Sequence, residues 1–82
     1  MVCMARPRFQ QLSAEQRDAI LDAALDEFSA HGFADASINR IIATAGISKG
    51  AMYYYFDSKE DLYADVLRRQ VERLFRDGPI PV

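Results

Sequence analysis

With 82 residues, half of them apolar and 27% charged, the chain is long enough for one small domain with a modest core and too apolar for a disordered segment. The net charge of −2 argues mildly against a nucleic-acid partner, although its distribution matters more, and the single cysteine, Cys3, excludes an internal disulfide, so a reducing compartment such as the cytoplasm is expected. The leader 1–8 lacks an apolar run of signal-peptide length, and no stretch approaches the roughly 18 apolar residues of a membrane span.

Residues 1–12 read as a flexible basic arm, because Pro7 and the absence of periodicity disfavour a helix. Arg6 and Arg8 are either phosphate or minor-groove contacts or part of a solvated tail. Ser13-Ala14-Glu15-Gln16 then forms a capping-box pattern, and Ile20, Leu21, Ala24, Leu25 and Phe28 follow at helical spacing. The pattern predicts a helix over 14–31, stopped by Gly32, with acids mainly on its outer side. His31 falls in its last turn, where a partial positive charge is favourable, and has no second metal ligand nearby in sequence. Phe33 is expected to fold back onto the core.

Ser37 is the next cap, and Ile38, Ile41, Ile42 and Ala45 predict a short amphipathic helix over 38–45. Gly46 turns the chain and Ser48 opens a third helix over 48–55. Two short helices joined by a tight glycine turn are the sequence sign of a helix-turn-helix. The third helix is unusual for a core element. It begins with Lys49, Gly50 and Ala51, one cation with almost no bulk, and continues with Tyr53, Tyr54 and Tyr55. Three adjacent tyrosines cover most of a helix circumference, so at least one must face outward. A small, donor-rich helix start with outward hydroxyls suits approach to a phosphate backbone. Glycine inside a helix costs ~1 kcal/mol relative to alanine, which close approach to a ligand or another helix would explain.

Asp57 or Ser58 caps a fourth helix over 59–76, with acids in its first turn, an apolar series from Leu62 to Phe75, and Gly78-Pro79 as the stop. At 1.5 Å per residue it is roughly 27 Å long, more than the short helices before it can cover. Val71, Leu74 and Phe75 therefore lack a partner in this reading, and the helix is expected to fray beyond about Gln70. The fold class expected is all-α: a three-helix bundle with a helix-turn-helix, plus a long fourth helix, within 13–78. Charge is polarised along it. Glu15, Asp18, Asp22, Asp26 and Glu27 stand against Arg17 in the first helix, whereas Arg40, Lys49 and Lys59 stand against Asp57 between 36 and 59. Such a field orients approach to an anionic partner.

Ala24-Leu25-Asp26-Glu27-Phe28, His31-Gly32-Phe33, Ala36-Ser37-Ile38, Ala45-Gly46-Ile47-Ser48-Lys49-Gly50, Met52-Tyr53-Tyr54-Tyr55-Phe56 and Ser58-Lys59-Glu60-Asp61-Leu62 together resemble the N-terminal DNA-binding domain of TetR-family transcriptional regulators. The likeness runs from about 14 to 67 without a gap. It implies sequence-specific binding of double-stranded DNA, with the third helix in the major groove of a palindromic operator, and a role as repressor. By position, the resemblance puts DNA contacts on Ser37, Asn39, Arg40, Ser48, Lys49, Gly50, Ala51, Tyr53, Tyr54, Tyr55 and Lys59. Positions like Tyr53 and Lys59 commonly hold phosphates, and positions like Lys49 and Ala51 face bases. Ile42 stands where a small residue is usual, and Tyr55 where histidine is common. Family members usually continue into a domain that dimerises and binds a small-molecule effector. No such domain is expected here, so a homodimer and an effector are implied only for a longer chain.

Neither a cofactor nor a metal is expected, since no metal-ligand or phosphate-loop spacing occurs. An enzyme is not expected either: a Ser–His or Cys–His pair would have to bring His31 to Cys3 or to a serine. The rival reading is an interaction module that grips another protein through Tyr53–Tyr55 or the Leu67–Phe75 stripe.

Overall fold

The computed structural model describes residues 7–76, which form five helices: α1 (Pro7–Gln10), α2 (Ala14–Asp35), α3 (Ile38–Ala45), α4 (Lys49–Tyr55) and α5 (Lys59–Arg76). No strand occurs among them, so the all-α expectation holds. Serines start four of the five. The Ser13, Ser37, Ser48 and Ser58 hydroxyls accept from the N–H groups of Gln16, Arg40, Ala51 and Asp61 at 3.0–3.3 Å, each satisfying a donor that has no partner inside its helix. Ser13 also donates to Gln16 Oε1 at 3.3 Å, pairing the two side chains of the expected capping box.

Two predicted boundaries differ. Gly32 was expected to end the first helix at 31; it instead kinks α2, at φ 77° and ψ 169°, and the chain makes one more helical turn to Asp35. The turn is retained because Phe33 swings back under the kink, stacking on Phe28 at 5.9 Å and tilting against Tyr63 at 5.0 Å. The Ala36 N–H then closes it by donating to the Gly32 carbonyl at 3.1 Å. The second difference concerns the arm. Residues 7–10 are helical, with Pro7 at the first position, where the missing N–H leaves no hydrogen bond unmade. The Arg17 guanidinium caps this turn by donating to the Gln10 carbonyl at 2.8 Å. Phe9 is 1% exposed and belongs to the core. Arg6 and the Arg8 side chain, read as candidate DNA contacts, and the Gly78-Pro79 stop lie outside the described residues.

The core gathers one face of every helix. Ile20, Leu21, Ala24 and Phe28 of α2 meet Ile41 of α3, Met52 of α4, and Leu62 and Val66 of α5, with Phe56 beneath them. Gly46 makes the turn between α3 and α4 at φ 75° and ψ 30°, a left-handed conformation that strains any other residue. The Gly46 and Ile47 N–H groups both donate to the Ile42 carbonyl, at 2.9 and 3.2 Å. Ile42 is half-buried against the core.

α5 lies along α2, and its Leu62, Asp65 and Val66 are buried while Leu67, Val71, Leu74 and Phe75 stay exposed, Phe75 by 70%. The helix nevertheless runs unbroken to Arg76. Part of the reason is a set of ion pairs that periodicity did not reveal. Arg69 is buried and reaches Asp18 at 3.2 Å and Asp22 at 2.8 Å, and Arg73 reaches Asp18 at 3.6 Å. Fully buried Asp65 pairs with Arg68 at 2.8 Å, and Arg68 also binds Glu72 at 2.6 Å. Part of the acidic side of α2, expected to face solvent alone, is thus the docking strip for the arginines of α5.

Candidate nucleic-acid interface

α4 is a two-faced helix. Met52, inside it, and Phe56, just beyond it, are buried, while Lys49 and Tyr53, four residues apart on one face, are exposed. Gly50 and Tyr54 lie on the neighbouring strip, also exposed. Tyr53 and Tyr54 are 44% and 51% exposed, so two of the three tyrosines face outward. Tyr55 does not. It is half-buried, with its ring edge-on to Phe9 at 5.8 Å. Ala51 is half-buried too, and Ser48 is exposed at the cap.

Gly50 has no packing duty in this fold. A Cβ built on it would meet only the Ser48 hydroxyl, at 3.9 Å, and no other helix approaches. Of the two explanations open for a glycine here, packing against a neighbouring helix is therefore removed. Gly50→Ala is expected to stabilise the domain by about 0.5–1 kcal/mol, through the better helix propensity of alanine. Thermal melting followed by circular dichroism reads this directly; a lowered melting temperature would mean that the glycine serves the fold after all.

A second cluster surrounds the connection from α2 to α3. Glu27 of α2, its side chain only 10% exposed, accepts through Oε2 from the Ser37 backbone N–H at 2.9 Å and from Arg40 Nε at 2.8 Å, with Arg40 Nη2 at 2.7 Å. Arg40 Nη2 also donates to the Asp35 carbonyl at 3.3 Å. The hydrogen bond from Arg40, then that from Ser37, holds the Glu27 carboxyl below the usual carboxylate range, and the same pairing raises Arg40. His31 stands 3.9 Å from the same carboxylate oxygen, a closer tie than the helix-end role expected for it. From the other side, Lys59 Nζ of α5 donates to the carbonyls of Ala34 and Ala36 at 3.2 and 3.3 Å and sits 4.7 Å from the centre of the Phe33 ring.

The eleven sequence-derived contact residues thus divide. Asn39, Ser48, Lys49, Gly50, Tyr53 and Tyr54 are exposed; Arg40 is exposed but tied to Glu27; Ser37, Lys59, Ala51 and Tyr55 are half-buried, Ser37 within the α2–α3 connection and Lys59 bonded to it from α5. Lys49 makes no hydrogen bond or ion pair with another described residue, so of the three bases between 36 and 59 it alone keeps its charge uncommitted. Glu27 was missed by sequence reasoning. Its partner Ser37 is ten residues away, beyond the reach of any helical spacing rule. Among the described residues no group of His, Cys, Asp and Glu is placed to hold a metal ion, and no helix is long and apolar enough to cross a membrane.

Comparison with known proteins agrees with this fold. Residues 20–66 match the family described as "Bacterial regulatory proteins, tetR family". Over 62 residues the chain is 48% identical to the HTH-type transcriptional regulator RutR of Escherichia coli K12, covering 76% of this chain and 29% of RutR. It is 40% identical over 63 residues to the HTH-type transcriptional regulator AcrR of Shigella flexneri, covering 77% of this chain and 29% of AcrR. The crystal structure of a TetR family transcriptional regulator from Chloroflexus aurantiacus J-10-FL superposes with a TM-score of 0.79 at 36% identity, over 95% of this chain and 37% of that one. The chain therefore spans less than a third of the length of these curated relatives. With more than half of its residues inside the family match and the helix-turn-helix in the matched segment, the chain belongs to the tetR family of bacterial regulatory proteins.

Proposed function

We propose that this chain is the DNA-reading head of a cytoplasmic transcriptional regulator that acts as a repressor, with α4 entering the major groove of a palindromic operator. The observation that carries the reading is the outward face of α4. It offers an uncommitted cation, a glycine with open space above it and two exposed tyrosines, on a helix held from behind by Met52 and Phe56. Lys49 and Ala51 would meet base edges, and Tyr53 and Tyr54 phosphates, with Gly50 allowing close approach. Ser37, Asn39 and Ser48 would add contacts from the starts of α3 and α4. Arg40, Tyr55 and Lys59 belong to the same proposal, although the fold already uses all three. A lysine carries three donors, so Lys59 holds one in reserve for a phosphate beyond its two carbonyls.

In a longer chain the molecule would act as a homodimer, which fixes two half-sites at one spacing, and would answer to a small-molecule effector bound elsewhere. The exposed stripe from Leu67 to Phe75 supports the second reading, a protein-binding face, since each such side chain gains ~1.5–3 kcal/mol on burial. The two are separated by salt. Binding of duplex DNA, followed by fluorescence anisotropy between 50 and 200 mM salt, is expected to weaken about 10-fold or more, with log K falling linearly in log salt. Salt-insensitive binding, or none, would discard the DNA reading in favour of the apolar stripe.

A further inference from the structure

We infer that Glu27 is a positioning residue for the DNA interface: it completes the cap of α3 from another helix and thereby sets the orientation of the Ser37–Arg40 turn. The inference rests on the DNA-reading function proposed above. In a capping box, the residue three positions after the cap returns its side chain to accept the cap residue's own N–H. For α3 the cap is Ser37 and that third position is Arg40, a cation that has nothing to accept with. The Ser37 hydroxyl does its half, taking the Arg40 N–H at 3.3 Å. The other half comes from Glu27 on α2, whose Oε2 accepts the Ser37 N–H at 2.9 Å. Arg40 then serves as counter-ion, its Nε at 2.8 Å and Nη2 at 2.7 Å from that oxygen.

An eight-residue helix is too short to hold its own shape or direction in water, so both must come from its attachments. At the α2–α3 connection these are two charged side chains. Glu27 takes the Ser37 N–H, and Lys59 takes the Ala34 and Ala36 carbonyls. Only Gly46, Ile47 and Ser48 separate α3 from α4, so a tilt at the start of α3 is passed to the helix that carries Lys49 and Tyr53. Glu27 touches no DNA in this scheme. It acts through Ser37 and Arg40.

The test compares E27A, E27Q and E27D with the wild-type chain, by anisotropy on a duplex selected from a random library by the wild-type chain and on an unselected duplex. E27A is expected to lose about tenfold on the selected duplex, in line with a lost cap, and less than about twofold on the unselected one. E27Q should recover most of the loss, because an amide oxygen still accepts the Ser37 N–H. E27D, one methylene short, should not recover it although its charge is kept. A role confined to folding would lower thermal stability without moving the ratio of selected to unselected binding. That unchanged ratio in folded E27A overturns the inference, as does E27D behaving like wild type while E27Q does not, which would make the carboxylate a charge only. Should E27A fail to fold, E27Q and E27D decide alone. A wild-type chain that selects no sequence overturns the DNA reading itself, a result distinct from any of these.

Discussion

Phe9→Ala is expected to destabilise the domain by about 3–5 kcal/mol, the range for deleting a buried phenylalanine. Phe9 is 1% exposed, and its ring meets Phe56 at 4.8 Å and Tyr55 at 5.8 Å. The residue thus braces the C-terminal end of α4 from behind. The backbone at Phe9 is tied down, since α1 is a single turn whose C-terminal end is held by the Leu12 N–H to Phe9 carbonyl bond and by Arg17 on the Gln10 carbonyl. A domain this small has a total stability of roughly 5–15 kcal/mol, so the loss is a large share of it. Urea denaturation followed by circular dichroism should show a lower midpoint with the slope little changed. If residues 1–12 were a solvated arm, the change would stay within about 0.5 kcal/mol. A shift of that size would detach Phe9 from the core.

Which features a reader of the sequence can see depends on how far the deciding interaction reaches. Ser13, Ser37, Ser48 and Ser58 cap helices through N–H groups three residues on; the first three were legible because the partner lies inside the pattern, and at the fourth the pattern left Asp57 and Ser58 both open. The helix-turn-helix was legible for the same reason: Gly46 acts on its own backbone and Ile41 and Met52 sit at local helical spacing. Gly32 was half legible. Its break in the helix was foreseen, but the turn beyond it depends on Phe33 meeting Tyr63, thirty residues away. Phe9 was misread because its partners lie beyond residue 50, and Pro7 reads as a breaker unless it happens to be the first helical residue. Charged pairs were the least legible. Arg69 with Asp18 and Asp22, and Glu27 with Ser37 and Arg40, obey no period, and a charge on a helix reads as solvated until the opposing helix is in place. For the interface, local pattern identified the outward tyrosines as a class; which two of the three face out was settled by Phe9 claiming Tyr55.

Lys49→Ala is expected to cost about 1–3 kcal/mol against the selected DNA sequence and to relax the preference at one or two base pairs of each half-site. Of the three bases between 36 and 59, two are already engaged by the fold. Arg40 is spent on Glu27, and Lys59 gives two donors to backbone carbonyls, so neither can move to a base without first breaking bonds in the fold. Lys49 has nothing to break. It is exposed at the start of α4, and its neighbours Gly50 and Ala51 add almost no bulk to hold the helix away from a groove floor. A free ammonium on a four-carbon stem can donate to guanine O6 and N7, the acceptor pair that marks guanine in the major groove. Because its stem is flexible, Lys49 should also discriminate less sharply than an arginine there, so Lys49→Arg should tighten binding at guanine positions rather than imitate the alanine variant. Stability should hardly move in either variant, since an exposed side chain without partners contributes within about 0.5 kcal/mol. Selection from a random library followed by sequencing reads the preference, and titration at two salt concentrations separates it from charge. If Lys49→Ala returned the wild-type sequence preference and lost only one charge of salt slope, Lys49 would be a phosphate contact, and the base-reading role would pass to the residues around it on α4.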